Sequence, residues 1–359
     1  MTDGSIPAPE TPEASPAASP TISSAIYGCA GLELNAWERA FFAETNPLGL
    51  ILFARNVADP EQVRALTETF RTIVDRADAP VLIDQEGGRV QRMKPPTWRQ
   101  APPPRVFGRL SERAAQTAIE AVELNARLLA HDLLSVGVTV DCAPLLDLSL
   151  KDTHEVIGDR AFSSDPARVA VLARAACQGF LAGGVIPVIK HIPGHGRAKV
   201  DSHVELPQVE TSRQELSDTD FVPFRALSDA PWAMTAHVVY NAIDPDRAAT
   251  VSPTLIAEVI RGELGFEGLL ISDDLSMQAL DGSLSERTAA SLAAGCDIAL
   301  HCNGDPAEMR QVAEAAIPLT AAAQGYLARA EAQRRAPGLF DPLEAAERLE
   351  QLLSTVAIG

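Results

Sequence analysis

Residues 190–203, KHIPGHGRAKVDSH, hold three of the chain's seven histidines, His191, His195 and His203. Side chains of these types bind a metal, bind a phosphate or move a proton. Spacings of four and eight would suit zinc if the histidines shared a helix face. Pro193, Gly194 and Gly196 forbid a regular helix between them, so a metal-dependent hydrolase would have to gather His191, His195 and His203 by a loop. Gly194 and Gly196 expose backbone N–H groups, and Arg197 and Lys199 add charge, yet the GxxxxGK[ST] order of a phosphate loop is missing. Proton transfer fits the end of the stretch. In Asp201-Ser202-His203 an extended backbone puts Asp201 and His203 on one side. A carboxylate on one ring nitrogen raises the basicity of the other, which makes a general acid/base once a loop delivers it.

Further polar groups end a series of apolar runs. The runs are 25–30, 49–54, 79–84, 137–142, 184–189, 232–237, 268–273 and 296–301, separated by longer Ala-rich segments of helical period. In SPTLIAEVIRGELG, Ser252 can cap a helix, Pro253 suits its first turn and Gly265 its end. Strands apolar throughout, each followed by a helix, imply a parallel sheet covered by helices. Eight such units predict a single-domain α/β chain, a (β/α)8 TIM barrel with extra C-terminal helices. An open doubly wound sheet would carry a Gly-rich loop after its first strand, and GCAGLELN at 28–35 matches that poorly. Pro187 weakens the fifth strand, because proline donates nothing to a ladder. The expected boundaries are a Pro/Ala-rich disordered tail at 1–21, the barrel at 22–335 and a helical extension at 336–359.

Barrel chemistry sits where strands end. There the sequence places Asp84, Glu86, Arg89 and Arg92 after the third run, Asp141 and Asp147 at the fourth, and Lys190 and His191 at the fifth. His237 ends the sixth, Asp273 and Asp274 the seventh, and His301 the eighth. Charges gathered at one end are better explained by a polar ligand than by packing. Asp273 would point into the mouth, where a carboxylate can attack a sugar's anomeric carbon or stabilise positive charge on it. Plainer roles are an Asp84–Arg92 ion pair, Asp274 as a helix cap, and His237 and His301 as core histidines.

With 48 acidic against 30 basic residues the formal charge is −18, which repels nucleic acid and anionic membranes and excludes both as partners. No apolar run is long enough to span a bilayer, and the N-terminus lacks the basic start and apolar core of a secretory signal. Cys29, Cys142, Cys177, Cys296 and Cys302 show no paired spacing and read as free thiols of a reducing compartment, the cytoplasm.

LGLILFARN, IDQEGGRVQR, CAPLLDL, IGDRAF, KHIPGHGRAKVDSH, MTAHVVY and ISDDLSM follow one another in this order. Together they resemble glycoside hydrolase family 3, in its single-domain β-N-acetylhexosaminidase branch. The resemblance implies hydrolysis with retention through a covalent glycosyl-enzyme. Asp273 matches the nucleophile and His203 the general acid/base, with Asp201 its dyad partner. This pair replaces the second carboxylate of the usual retaining enzyme. Asp84, Arg92, Arg160, Lys190 and His191 match sugar-binding positions. No metal or cofactor is implied. The implied substrate is GlcNAc β-1,4-linked to 1,6-anhydro-N-acetylmuramic acid, with or without peptide, cleaved by a monomer during cell-wall recycling. Ile192 departs from the Phe usual in the family. A non-catalytic sugar-binding barrel, attack by the substrate's own acetamido group, and phosphate as acceptor are the competing readings.

Overall fold

The computed structural model describes residues 21–151, 153–198, 200 and 206–354; the expected tail, apart from Thr21, lies outside them. In chain order the strands are β1 (Ser23–Gly28), β2 (Pro47–Leu52), β3 (Val81–Ile83), β4 (Val140–Asp141), β5 (Ile186–Ile192), β6 (Gln208–Val209), β7 (Trp232–Thr235), β8 (Val239–Tyr240), β9 (Asp244–Ala248), β10 (Leu269–Asp274) and β11 (Ile298–His301). Eight of them close a barrel in the order β1-β11-β10-β7-β5-β4-β3-β2, with every pair parallel. Each expected run holds one barrel strand, so the fold is the (β/α)8 barrel. The first strand starts two residues before its run, and the fourth shrinks to two residues. Beside the barrel, β6, β8 and β9 form a small sheet that the sequence did not suggest.

Alternate residues along the strands serve two cores. Ile26, Leu82, Val188, Trp232, Ile271 and Ile298 meet inside the barrel. Ala25, Ile83, Ile189, Ala233, Leu270 and Ala299 pack outward in the layer that includes the helices. Burial on both faces explains why the strands read as unbroken apolar runs. The helix Ala321–Gln333 closes the N-terminal end: Ala323 and Ala330 join the inner core, and Arg329 and Gln333 donate to the carbonyls of Glu267 and Asp229. The helix Pro342–Ser354 lies against the helix Ala115–Ser135, with Ala345, Leu349 and Leu352 in the outer core.

Pro187 fits because its missing donor faces the side that needs none. Ile186 and Val188 direct their N–H groups to Thr139 and Ala143, while pairing with β7 begins only at Val188 and Trp232. Several helices start as Asp-Pro: Asp59, Asp165 and Asp305 each accept N–H groups of the first turn, and proline follows. Ser252 likewise accepts from Leu255. The segment it opens, Leu255–Glu263, is wound as a π-helix rather than the expected α-helix, and it ends at Gly265 with φ +67°. All five cysteines are buried free thiols. Among the described residues no helix is long and apolar enough to cross a membrane.

The first and last strands meet where Gly28 passes Cys302. A Cβ on Gly28 would lie 2.1 Å from the Cys302 carbonyl oxygen. Gly28→Ala is therefore expected to cost ~1–3 kcal/mol by forcing the closing pair apart. An unchanged urea midpoint would show that the seam has slack.

Candidate active site

The alternation that fills the inner core also delivers the chemistry. Leu82, Val188 and Ile271 face inward, and two residues later the same face carries Asp84, Lys190 and Asp273. These three line a cavity of about 310 Å³, together with Arg92, Arg160 and His191. Every described sugar-binding candidate thus lines the same cavity as Asp273.

Lys190 is the hub of the cavity wall. Its side chain is 2% exposed, and Nζ sits 2.8 Å from both Asp84 Oδ1 and Glu86 Oε1. Arg92 reaches Asp84 Oδ2 at 3.0 Å, and Arg160 grips Glu86 bidentately at 2.8 and 2.9 Å. Burial alone would raise the Asp84 and Glu86 carboxyls. The fields of Lys190 and Arg92 on Asp84, and of Arg160 and Lys190 on Glu86, outweigh it and hold both below the usual range. Burial would likewise lower Lys190, and the two carboxylates raise it instead. The Asp84–Arg92 ion pair exists, but as one edge of this network rather than an isolated brace.

Asp147, fully buried, organises the histidine stretch. It accepts the backbone N–H groups of His191 and His195, the latter at 2.6 Å, and lies 2.7 Å from His191 Nδ1. A carboxylate only accepts, so the His191 proton sits on Nδ1 and Nε2 is left as the other face of the ring. Burial on Asp147 is overcome by His191 and these hydrogen bonds, which lower it to about 2. Burial lowers His195 to about 4, so that ring is neutral near pH 7. The glycines serve backbone packing rather than phosphate. Gly194 has φ +139°, and a Cβ on Gly196 would lie 2.3 Å from the Leu148 carbonyl oxygen. Tyr240 Oη donates to the Gly194 carbonyl and Thr153 Oγ1 to that of Gly196, each at 2.6 Å, while Arg197 pairs with Asp220. Asp201, His203 and Lys199 lie outside the described residues. Among those described, no group of three His, Cys, Asp or Glu is arranged to hold a metal ion.

Asp273 is aimed by a bulge. Ile271 pairs with Ile298 but Asp274 with Leu300, so three steps on β10 oppose two on β11. Ser272 Oγ fills the gap by accepting the Leu300 N–H at 2.9 Å. Asp273 Oδ1 then accepts the Asp274 N–H at 2.8 Å. Burial raises this carboxyl, but His237, His191, the Asp274 N–H and Lys190 together bring it below its ordinary value. It is a carboxylate facing the cavity.

Other strand-end residues take different places. Asp274 does not cap the next helix, which starts on Ser283; it holds the turn through Ser276 and accepts the Cys302 N–H. His301 is buried against Glu308 at 3.0 Å, a structural histidine. Asp141 supports the wall from behind by accepting the Gln85 N–H, and burial raises it to about 8, so it is protonated at neutral pH. The sequence flagged Glu86 and Asp147 as strand-end charges but gave neither a role; their partners arise only by folding. Ser272, Thr235 and Thr250 were missed, since neutral hydroxyls leave no signal in charge or hydropathy.

Asp147 makes stability pH-dependent with a definite sign. Its carboxyl falls from an ordinary 3.8 to about 2 in the fold, so its contribution is complete above the ordinary value and disappears as the pH drops through the lower one. The stability of the native chain should fall across that window, and Asp147→Asn should flatten the fall. Equal slopes in urea melts of the two proteins would refute the assignment.

Residues 27–331 match the glycosyl hydrolase family 3 N terminal domain. A β-hexosaminidase of Alkalilimnicola ehrlichii is 43% identical over 282 residues, 77% of this chain and 80% of that protein. Native NagZ from Neisseria gonorrhoeae superposes with a TM-score of 0.81 at 30% identity, covering 94% of this chain and 97% of its own. The same enzyme in complex with N-trifluoroacetyl-D-glucosamine gives 0.81 at 31% identity, with 94% and 98% covered. A barrel of this order, with its mouth built on IDQEGGRVQR, KHIPGHG and ISDDLSM, and with these relatives along most of its length, belongs to glycosyl hydrolase family 3.

Proposed function

We propose that the chain is a retaining exo-β-N-acetylglucosaminidase in which Asp273 is the nucleophile and His203, held by Asp201, the general acid/base. The observation that carries this reading is Asp273 itself, an ionised carboxylate bulged into a cavity whose other wall is Asp84, Arg92, Lys190 and His191. Fixed donors and acceptors of that density suit sugar hydroxyls. About 310 Å³ is near the lower end of ligand cavities, ~300–1,000 Å³, and suits one terminal sugar ring rather than a stretch of chain. The β-hexosaminidase relatives and the glucosamine-derivative complex of the Neisseria enzyme support N-acetylglucosamine as that ring.

In the first step an Asp273 carboxylate oxygen bonds to the anomeric carbon as the glycosidic C–O bond breaks. His203, as imidazolium, gives its proton to the leaving oxygen. In the second step the neutral imidazole takes a proton from water, whose oxygen displaces Asp273. Asp84, Arg92, Arg160, Lys190 and His191 bind or orient the sugar. The finer reading is that the aglycone is 1,6-anhydro-N-acetylmuramic acid, with or without peptide, and that a monomer works in the cytoplasm during wall recycling. The resemblance of the KHIPGHGRAKVDSH stretch to the hexosaminidase branch supports it, as do five free thiols.

Release of 4-nitrophenol from 4-nitrophenyl N-acetyl-β-D-glucosaminide should survive EDTA and vanish in Asp273→Ala. Inhibition by EDTA would instead favour the metal-dependent reading built on His191, His195 and His203. Binding of GlcNAc without turnover would favour a sugar-binding barrel. His203→Ala should slow the disaccharide by ~10²–10⁴ and the nitrophenyl substrate less in the first step, because a good leaving group needs little acid. A 2-deoxy-2-fluoro reagent should label Asp273; an unlabelled, inactivation-resistant enzyme would point to attack by the acetamido group.

A further inference from the structure

The stretch that carries Asp273 is held by hydrogen bonds that the proposed reaction does not use. His237 Nε2 lies 2.9 Å from the Asp274 carbonyl oxygen, an acceptor, so Nε2 carries a proton. The ring is fully buried, and burial lowers its pKa against the pull of Asp273, which disfavours a second ring proton and leaves Nδ1 to accept. The group 2.7 Å from Nδ1 is Thr250 Oγ1, which also lies 3.2 Å from the Ala236 carbonyl oxygen, so its single proton is committed to Nδ1 and to that more distant acceptor. Thr250 Oγ1 is also 2.8 Å from Thr235 Oγ1, so Thr235 is the donor in that pair. Thr235 Oγ1 in turn accepts the Asp273 N–H at 3.4 Å. The circuit leaves the backbone at Asp273 N–H, passes Thr235, Thr250 and His237, and returns at Asp274 C=O. Between those ends the Asp274 N–H holds the Asp273 carboxylate. All three side chains are fully buried, so no water competes for their bonds.

We propose that Thr235, Thr250 and His237 are positioning residues that fix the aim of the Asp273 carboxylate, Thr250 acting as the one-way link that locks His237 with its proton on Nε2. The inference rests on Asp273 being the nucleophile. It differs from a packing role because it depends on hydroxyl and imidazole protons, not on volume. Thr250 stands on the turn Ala249–Val251 beyond the barrel strands, so the small sheet's chain reaches back to brace the reacting carboxylate.

The test compares Thr250→Val, which keeps the shape and loses the hydroxyl, with Thr250→Ser, which keeps the hydroxyl. On the nitrophenyl substrate, Thr250→Val should lower kcat per folded molecule by ~10- to 100-fold, since misaim of the order of an ångström carries such a penalty. KM should move by less than about threefold, because the sugar-binding wall is untouched. Thr250→Ser should recover most of the loss. A purely structural role would lower the melting temperature of Thr250→Val and leave kcat per folded molecule within about twofold, which would overturn the proposal. Should Thr250→Val not fold, His237→Gln and His237→Asn decide. The Gln amide nitrogen takes the place of Nε2, whereas that of Asn takes the place of Nδ1, so Gln should keep the higher kcat, and equal values would overturn the proposal. Nitrogen-15 shifts of the His237 ring should report the Nε2–H tautomer; an Nδ1–H ring would overturn the circuit whatever the activity. A wild type without turnover would sink the proposed function and this role with it. That outcome is distinct from an active wild type matched by Thr250→Val, which sinks this role alone.

Discussion

An ammonium group with almost no access to water governs the mouth of this barrel. Lys190 could not remain charged at the end of β5 on its own, because burial of a lone ion costs several kcal/mol. It stays charged because Asp84 and Glu86 both lie at 2.8 Å, and these carboxylates are stabilised in turn by Arg92 and Arg160. The assembly draws together β5, the segment after β3 and the turn Gly158–Arg160. None of the five can be neutralised without stranding another. A surface so determined presents its donors and acceptors in advance, and little reorganisation is left for a ligand to drive.

The histidine-rich stretch divides its labour in a way its composition hides. Lys190 belongs to the charge network and His191 to Asp147. His195 is a neutral buried ring, and the glycines and the Gly194 carbonyl belong to backbone packing against Leu148 and Tyr240. Among the described residues, a cluster that invites a metal or phosphate reading is a set of side chains each answering to a different neighbour. Only Asp147, 48 residues before His195, makes that visible, and nothing in local spacing announces it.

The barrel was legible because burial on both strand faces leaves long apolar runs, and the end of each run marks the mouth. Asp84, Lys190 and Asp273 followed from the same period. Short elements were not legible: β6 and β8 have two residues each, too few for any alternation, and β9 reads DPDRA, whose charged centre faces solvent. The π-winding of Leu255–Glu263 leaves the same apolar spacing as an α-helix over so short a span. Ser272, Thr235 and Thr250 act through hydroxyl geometry, which exists only once three distant parts of the chain are side by side. The bulge in β10 is likewise a property of the pair, not of either strand.

Strand β8 has a role out of proportion to its size. Tyr240 holds the Gly194 carbonyl on one side of residues 199–205, and β6 pairs with Val239 and Tyr240 on the other. The chain on both sides of the segment carrying Asp201 and His203 is therefore tied to the same short strand, and to Tyr240 in particular. When the ends of a chain segment are fixed to one support, doubling its length adds only ~0.6 kcal/mol of closure entropy. A change in the length or composition of that segment therefore leaves the barrel and its charge network as they are.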